Sequence, residues 1–311
     1  GDVYKRQTKS GIKMKDWVSD IREDADGNIW IVLPNQGLFR YDSDGLVHYP
    51  FGDPKLPDQG NPQCLCVDRS GRLWVGTNGK GVYLYNREND KFTQYLGDNS
   101  GETLFGENIY KMCDYGDELV IGIHEGKLRK LNKRKNILTD VNAPEVHYKI
   151  IRDVACFDDE LWVGTQSGVY VINELKNKIS HIYNDPMCSY SLSDNQIGRI
   201  YRDRENGIWI GTNLGGVNYC PQRGIEFTRH IPLSRPYTIS SKRVRELVED
   251  EEGNIWVGTE DAGINIYDPH TGVFKKIGRD VGPKSVCEKS LALLADKNYI
   301  WAGSFKNGLD M

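Results

Sequence analysis

A short motif recurs seven times along the 311-residue chain. Its anchor is a tryptophan between aliphatic residues, often followed by Gly-Thr, as in RLWVGT, GIWIGT and NIWVGT. The anchors are Trp30, Trp74, Val120, Trp162, Trp209, Trp256 and Trp301. By position they are 44, 46, 42, 47, 47 and 45 residues apart. Seven repeats of this length fill the whole chain, so we expect residues 1–311 to form a single domain.

Each repeat has the pattern of four short strands. In the sixth, the strand-like segments are VRELVED, IWVGT, INIYD and VFKKI, and the turns between them contain Gly, Asn or Asp. Apolar and polar residues alternate with a period of two, which indicates β-strands. Four antiparallel strands in 40 to 50 residues are typical of a propeller blade. The sequence therefore predicts an all-β fold, a seven-bladed β-propeller of four-stranded antiparallel blades.

The two ends of the chain leave the closure of such a ring open. The last repeat stops at Met311, where its third strand has barely begun. Residues 3–8 precede the first inner strand, expected at 18–23, and could complete the seventh blade. The alternative is that GDVYKRQ is foreign sequence and Met311 a fragment end. In either case we expect a piece of a longer chain.

Composition argues against several classes of protein. The 40 Lys and Arg residues and 44 Asp and Glu residues are mixed along the chain and give a net charge of −4, which disfavours a nucleic-acid partner. Apolar runs of about five residues are too short to cross a bilayer. The seven cysteines include no CxxC pair, and the six histidines lie singly. We expect no metal site and no cofactor, and we favour thiols over a disulfide.

The junctions between repeats carry a longer and more specific pattern. SLSDNQIGRIYRDRENGIWIGTNLGGV (191–217) and TISSKRVRELVEDEEGNIWVGTEDAGI (238–264) share a Ser-rich start, Ile or Val, then Asp, Gly and Trp in one order. This pattern resembles the two-component regulator propeller repeat. Departures are WIVLPN in the first repeat, Val120 in place of Trp, and a shorter inner hairpin in the third and fourth repeats.

The resemblance implies the N-terminal sensor propeller of a Bacteroidetes hybrid two-component histidine kinase. It would be periplasmic, in the ectodomain of an inner-membrane protein, and would bind an oligosaccharide. Its partners would be a downstream propeller and an immunoglobulin-like domain of the same chain, with a homodimer in the full-length protein. Kinase activity would lie outside this segment, which would not bind nucleic acid.

Two repeated features are expected to be structural. Asp24, Asp68, Asp203 and Asp250 lie six residues before a tryptophan. Repetition favours a turn residue whose carboxylate accepts backbone N–H bonds over a metal-binding ring. The Gly-Thr pairs are not followed by a helix pattern, so we expect strand and bend residues and no phosphate loop.

Candidate binding residues lie where the inner strands begin, because those loops cluster at one end of a propeller. Alignment of the repeats places Trp17, Gln63, Asn108, Ile150, Gln196 and Arg243 at these positions. They contain no acid–base pair, so no catalytic residue is expected. Aromatic faces stack on sugars while amides and guanidinium groups bind hydroxyls. The candidates for ligand binding are Trp17, Asn108, Tyr148, Asn195, Tyr237 and Arg243.

Three functions are compatible with these observations. The first is a sensor propeller that binds oligosaccharide fragments without turnover and signals through domain packing. The second is a polysaccharide lyase or hydrolase, and the third is a protein-interaction propeller without a small ligand.

Overall fold

A computed structural model of the chain describes residues 14, 17–50, 60–97, 103–124, 126–188, 190–221, 228–233, 236–277, 289–296, 299–305 and 308–311. These residues group into two compact units. The first ends at Cys156 and the second begins at Phe157. The segment 3–8, which we considered for closing the seventh blade, lies outside the described residues.

The first unit consists mainly of antiparallel strands. In chain order they are β1 (Asp20–Glu23), β2 (Ile29–Leu33), β3 (Gly37–Asp42), β4 (Gly45–Tyr49), β5 (Pro62–Val67), β6 (Leu73–Lys80), β7 (Val82–Asn86), β8 (Lys91–Tyr95), β9 (Phe105–Tyr115), β10 (Glu118–Ile123), β11 (Lys127–Asn132), β12 (Leu138–Asp140) and β13 (Ile151–Phe157). A 3₁₀ helix covers Pro144–Val146. Strands β1 to β4 pair in chain order and form a four-stranded sheet.

The second and third repeats share one eight-stranded sheet, which differs from the separate blades expected from the sequence. Strands β5 to β8 and β9 to β12 each pair in chain order, and β6 also pairs with β9. The extra pairing joins Asn78 to Asn108 and Lys80 to Phe105. It is possible because β6 has 8 residues and β9 has 11, so both extend past their own hairpins.

The second unit repeats the same arrangement. Its strands are β14 (Glu160–Thr165), β15 (Gly168–Asn173), β16 (Lys178–Ile182), β17 (Ile197–Arg202), β18 (Ile208–Thr212), β19 (Val217–Cys220), β20 (Thr228–His230), β21 (Val244–Glu249), β22 (Ile255–Thr259), β23 (Gly263–Asp268), β24 (Val273–Ile277), β25 (Ser290–Ala295), β26 (Ile300–Ser304) and β27 (Leu309–Asp310). Strands β17 to β20 and β21 to β24 form four-stranded antiparallel sheets, and β25 to β27 form a three-stranded one. The predicted all-β class is confirmed. None of the helices in the described ranges has the length and apolar character needed to span a membrane.

Neighbouring sheets within a unit pack through a glycine in each second strand. The glycines in contact with the next sheet are Gly76, Gly122, Gly164, Gly211 and Gly258. A Cβ atom on Gly211 would lie 2.5 Å from Cγ1 of Val244, and one on Gly122 would lie 2.8 Å from Cγ2 of Val154. Only glycine leaves room for this approach, while the anchor Trp209 is 2% exposed in the same strand. The sheets therefore pack through a large tryptophan and a small glycine of the same strand.

Buried charges connect the inner strands within each unit. The Asp20 carboxylate accepts hydrogen bonds from the Leu65 backbone N–H at 3.0 Å and from Lys111 Nζ at 3.2 Å. In the second unit, Arg199 of β17 forms a buried ion pair with Glu246 of β21. Buried charges are tolerated only when they are paired in this way, so these residues are structural.

A disulfide links Cys113 of β9 to Cys156 of β13, with their Cα atoms 6.0 Å apart. Our expectation of thiols is therefore wrong for this pair. The two residues are 43 positions apart and lie on different inner strands, so their proximity is a consequence of the fold. Cys64, Cys66 and Cys188 are thiols.

Candidate functional site

In four of the repeats, one end of the sheet is closed by an aspartate that binds both the turn and the anchor tryptophan. Trp30 Nε1 donates to Asp24 Oδ2 at 2.8 Å. The equivalent distances for Trp74, Trp209 and Trp256 are 3.0, 2.7 and 2.7 Å. The same carboxylates accept turn N–H groups, such as that of Asn28 at 3.0 Å from Asp24 Oδ1. These contacts confirm the turn role predicted for the repeated aspartates.

Hydrogen bonds lower the pKa of three of these carboxylates, Asp24, Asp68 and Asp250, against the opposing effect of burial. Burial alone would raise the pKa of Asp24, but donation from Trp30, Asn28 and two backbone N–H groups lowers it below the ordinary value. The pKa values of Asp68 and Asp250 are lowered by the same balance. The described part of the chain contains no group of three or more His, Cys, Asp or Glu side chains arranged to hold a metal ion. This end of the sheets is a scaffold.

The opposite end of each sheet is closed by a threonine. Oγ1 of Thr77 donates to the Gly81 carbonyl at 2.7 Å, and Thr212 to the Gly216 carbonyl at 2.9 Å. The bond holds the turn between the second and third strands, and the first strand begins beside this turn. This arrangement agrees with the strand and bend role expected of the Gly-Thr pairs.

We call the end of a sheet at which its first, inner strand begins the mouth. In five repeats a backbone hydrogen bond lies there. The residue before the inner strand accepts this bond from the residue that ends the second strand. We call these residues mouth pairs, acceptor first: Asn61/Asn78, Asn108/His124, Gln196/Asn213, Arg243/Glu260 and Lys289/Phe305. The pairs show that Asn108 and Arg243 were aligned correctly. The assignment of Gln63 is wrong, because the bond from Asn78 N goes to the Asn61 carbonyl, directly before β5.

The first unit has a polar and aromatic cluster at its mouths. Arg152 of β13 donates from NH1 to the Tyr110 hydroxyl of β9 at 3.5 Å. The Tyr110 and His124 rings are 6.0 Å apart between centroids. Asn108, which forms a mouth pair with His124, is exposed beside them. We call Asn108, Tyr110, His124 and Arg152 the first cluster.

The second unit has a charged cluster at the equivalent place. Arg245 Nε donates to Glu260 Oε2 at 2.9 Å, and Arg243 NH1 lies 3.9 Å from Glu260 Oε1. The side chain of Arg243 is 47% exposed. We call Arg243, Arg245 and Glu260 the second cluster. Both clusters offer hydrogen-bonding groups at the surface, as a sugar-binding site requires.

Tyr148 is an exposed aromatic residue in a strained turn. It is 93% exposed and has a φ of 60°. His147, with φ −54° and ψ 139°, and the bond from Lys149 N to Val146 O at 3.1 Å define a type II turn with Tyr148 at its third position. Glycine or asparagine is usual there, and tyrosine costs about 1 kcal/mol. Strain at an exposed aromatic residue supports its candidacy as a ligand contact.

Tyr237 of the second unit has similar properties. It is 67% exposed with a φ of 68°, and its carbonyl accepts a hydrogen bond from Phe274 N at 3.2 Å. The backbone is therefore fixed by β24 while the ring remains available to solvent.

The two remaining candidates are less available. Trp17 is half-buried directly before buried Val18. Asn195 Oδ1 accepts the Asn184 N–H at 2.7 Å, and its carbonyl accepts that of Gly168 at 2.8 Å. Asn195 therefore holds its own loop.

The sequence analysis did not select Tyr110, His124, Arg152, Arg245 or Glu260. What they share is their position. His124 and Glu260 belong to mouth pairs, and Tyr110, Arg152 and Arg245 lie on inner strands, two residues after the position at which each strand enters its sheet. That signal depends on knowing the strand register, which the structure provides.

Comparison with known proteins agrees with this architecture. The family model described as two component regulator propeller matches residues 55–79, 191–214 and 238–261. Histidine kinase P4 of Formosa agariphila is 26% identical over a segment that covers 49% of this chain and 12% of that protein.

Solved structures show the same fold. The extracellular domains of the hybrid two component systems BT3049 and BT4673 of B. thetaiotaomicron are each 22% identical, with TM-scores of 0.73 and 0.75. The alignments cover 97% and 95% of this chain but 39% and 38% of those chains. Virginiamycin B lyase from Staphylococcus aureus has a TM-score of 0.71 at 13% identity, over 95% of both chains. The chain is therefore a β-propeller that carries two-component regulator propeller repeats.

Proposed function

We propose that this chain is the extracytoplasmic, ligand-sensing propeller of a hybrid two-component histidine kinase and that it binds oligosaccharide fragments. The observation that carries the proposal is the family match at three repeats, together with the histidine kinase relative. The chain spans 12% of that relative's length, so kinase activity would belong to other parts of such a protein.

The disulfide supports a location outside the cytoplasm. Structural disulfides persist in oxidising compartments such as the periplasm and are rare in the reducing cytosol. The Cys113–Cys156 bond joins two inner strands of the first unit. A periplasmic ectodomain is consistent with this bond and with the extracellular origin of the similar solved structures.

A closed ring of blades would make a rigid ligand platform. We infer that residues 1–311 form one domain of seven blades, because seven anchors divide the chain at near-equal spacing. A rigid ring has little internal freedom, so a bound ligand would act on packing against a downstream propeller, an immunoglobulin-like domain or a second copy of the chain. The ligand can shift that balance only by its difference in affinity for the two arrangements.

The chemistry of the mouths supports a sugar ligand. Tyr148 exposes an aromatic face, while Asn108 and Arg243 offer side chains for hydroxyl groups. Tyr237 is exposed away from the mouth, because its partner Phe274 is level with Ile255 at the aspartate-turn end of the sheet. Neither cluster contains a carboxylate and a free base placed for proton transfer, since Glu260 is bound to Arg245. We therefore propose binding without turnover.

A titration with product analysis tests the proposal. The chain is titrated by calorimetry with a panel of plant and algal oligosaccharides, and each mixture is then incubated and analysed by chromatography. We expect saturable binding of at least one oligosaccharide, with all sugar recovered unchanged. Cleavage with or without a divalent cation would favour the lyase or hydrolase alternative. An absence of binding across the panel would favour a protein-interaction propeller.

A further inference from the structure

The first cluster contains an arginine whose charge no carboxylate of the described chain neutralises. Arg152 is half-buried, and the Tyr110 hydroxyl at 3.5 Å is its side-chain partner. Two other strand arginines have acidic partners: Arg245 binds Glu260, and Arg129 lies 2.9 Å from Asp140. Arg229 of β20 has none among the described residues, but its guanidinium group donates to backbone carbonyls such as that of Ser191 at 2.8 Å. Arg152 differs from both kinds, because the described chain gives its side chain one long hydrogen bond.

The described residues that form the first cluster with Arg152 carry no negative charge. Tyr110, His124 and Asn108 are hydrogen-bonding or aromatic residues without negative charge. The nearby acid on β9, Glu107, forms an ion pair with Lys127 at 3.2 Å. A partly desolvated guanidinium group without an internal counter-ion is best satisfied by an anion from outside.

A general attraction for anions does not explain this arrangement. The chain carries a net charge of −4, so its overall field disfavours anions. Arginine is suited to a planar anion because its guanidinium group donates two parallel hydrogen bonds to a carboxylate or a sulfate oxygen pair. The adjacent Tyr110 and His124 rings provide aromatic contact for a pyranose ring, and the Tyr110 hydroxyl can donate a hydrogen bond to a sugar oxygen.

We propose that Asn108, Tyr110, His124 and Arg152 form a subsite for an acidic sugar, with Arg152 bound to its carboxylate or sulfate ester group. This inference rests on the proposed oligosaccharide-binding function and names the class of ligand. The second cluster differs, because Glu260 binds Arg245 and lies 3.9 Å from Arg243, so both guanidinium groups already face a carboxylate there. An acidic residue of the oligosaccharide therefore binds at the first cluster.

Titration of the intact chain with three matched ligands tests this assignment. The probes are a galacturonic acid oligosaccharide, a sulfated galacto-oligosaccharide and the neutral galacto-oligosaccharide of equal length, all in 0.15 M salt. We expect at least one acidic probe to bind ten-fold or more tightly than the neutral one. The stronger of the two acidic probes identifies the group as carboxylate or sulfate.

Three variants assign the preference to Arg152. Arg152→Gln should weaken binding of the acidic probe by 10- to 100-fold and bring its affinity to within about three-fold of that of the neutral probe. Arg152→Lys should give an intermediate loss, because an ammonium group keeps the charge but not the paired hydrogen bonds. Arg134→Gln removes the same charge from a side chain that is 82% exposed and 3.8 Å from Asp117. It should remain within two-fold of the parent chain.

The outcomes separate this inference from the proposed function. Equal or tighter binding of the neutral probe, or equal effects of Arg152→Gln and Arg134→Gln, would overturn the acidic subsite and leave oligosaccharide binding intact. Failure of all three probes and of the wider panel would overturn both. Unfolding curves of the variants confirm that each is folded, and Arg152→Lys serves as the test if Arg152→Gln is not.

Discussion

Trp30 Nε1 donates a 2.8 Å hydrogen bond to Asp24 Oδ2, six residues earlier in the chain. The same carboxylate accepts the backbone N–H groups of Asp26 and Asn28. One side chain therefore fixes both the hairpin turn and the largest residue of the core. The contact recurs in several sheets, so it is a structural feature of the repeat. It fixes the turn at one end of the sheet, while the residues at the opposite end differ between repeats.

Removal of this carboxylate should destabilise the fold. Asp24→Ala leaves the buried Trp30 indole and the turn N–H groups without an acceptor, so the free energy of unfolding should fall by about 2–4 kcal/mol. Urea unfolding followed by tryptophan fluorescence measures the loss. Asp26→Ala is the control, since Asp26 is 55% exposed in its ion pair with Arg87 and should change stability by less than about 1 kcal/mol. Equal losses in the two variants would refute the role of Asp24.

Close packing at the second-strand glycines should not tolerate a methyl group. Gly211→Ala places a Cβ 2.5 Å from Val244 Cγ1, and overpacking of this kind costs about 1–3 kcal/mol. Adding Val244→Ala should make the two effects less than additive, because the second change opens the space that the first one needs. A double-mutant cycle by thermal or urea unfolding measures the coupling. Strict additivity would show that the two residues do not compete for one space.

His230 should make stability depend on pH. Burial lowers its pKa to about 4 among the rings of Tyr267 and Phe274, at 5.0 and 5.2 Å. Between pH 6.5 and 4 the unfolded chain binds a proton that the folded chain excludes, so stability falls as pH falls. The change should reach about 2–3 kcal/mol by pH 4. Unfolding at a series of pH values measures it, and His230→Phe should reduce this slope. An unchanged slope in the variant would assign the effect to other groups.

Asp310 should behave in the opposite sense. It occupies the register position of Asn218 and Asn265, whose Oδ1 atoms accept the N–H groups of Ser193 and Ser240. Burial raises the pKa of Asp310 to about 6, so ionisation above that pH destabilises the folded chain.

Replacing Asp310 with the residue used in the other sheets should therefore stabilise the fold. Asp310→Asn should add about 2–3 kcal/mol above pH 6, and the gain should vanish as pH falls towards 4 and the carboxyl becomes neutral. Parallel unfolding of the two chains at pH 7.5 and pH 4 checks this. A gain of equal size at both values would contradict a charge-based cause.

The disulfide should persist in chain produced in an oxidising compartment. Without reductant, proteolysis and mass spectrometry should recover one peptide pair that joins Cys113 to Cys156, and Cys188 should be alkylated. Replacing both cysteines with serine should lower stability by about 2–4 kcal/mol. Full alkylation of Cys113 and Cys156 before reduction would contradict the bond.

Local spacing predicts much of this architecture, because the aspartate turn, the tryptophan and the Gly-Thr bend act within ten residues of one another. The disulfide was missed because Cys113 and Cys156 meet only after two sheets pack. The Gln63 error had a different cause, because the spacing to the anchor was misread. Asn61 lies 13 residues before Trp74, as Gln196 and Arg243 lie 13 residues before Trp209 and Trp256.

The sequence alone predicts only part of the candidate site. Asn108, Arg243, Tyr148 and Tyr237 could be selected by residue type and position in a loop. Arg152 and Tyr110 could not, because their significance depends on a contact between two inner strands and on the absence of a nearby carboxylate in the described structure.

Hydrogen–deuterium exchange with and without a saturating oligosaccharide tests most directly whether the mouths bind ligand. On ligand binding, backbone amides should exchange more slowly at the mouths. The segments are 105–110, 122–124 and 146–152 of the first unit or 241–245 and 259–262 of the second. The aspartate turns at 24–28 and 68–72, at the opposite ends of their sheets, should be unchanged. Protection confined to those turns, or none at the mouths despite measured binding, would contradict the assignment.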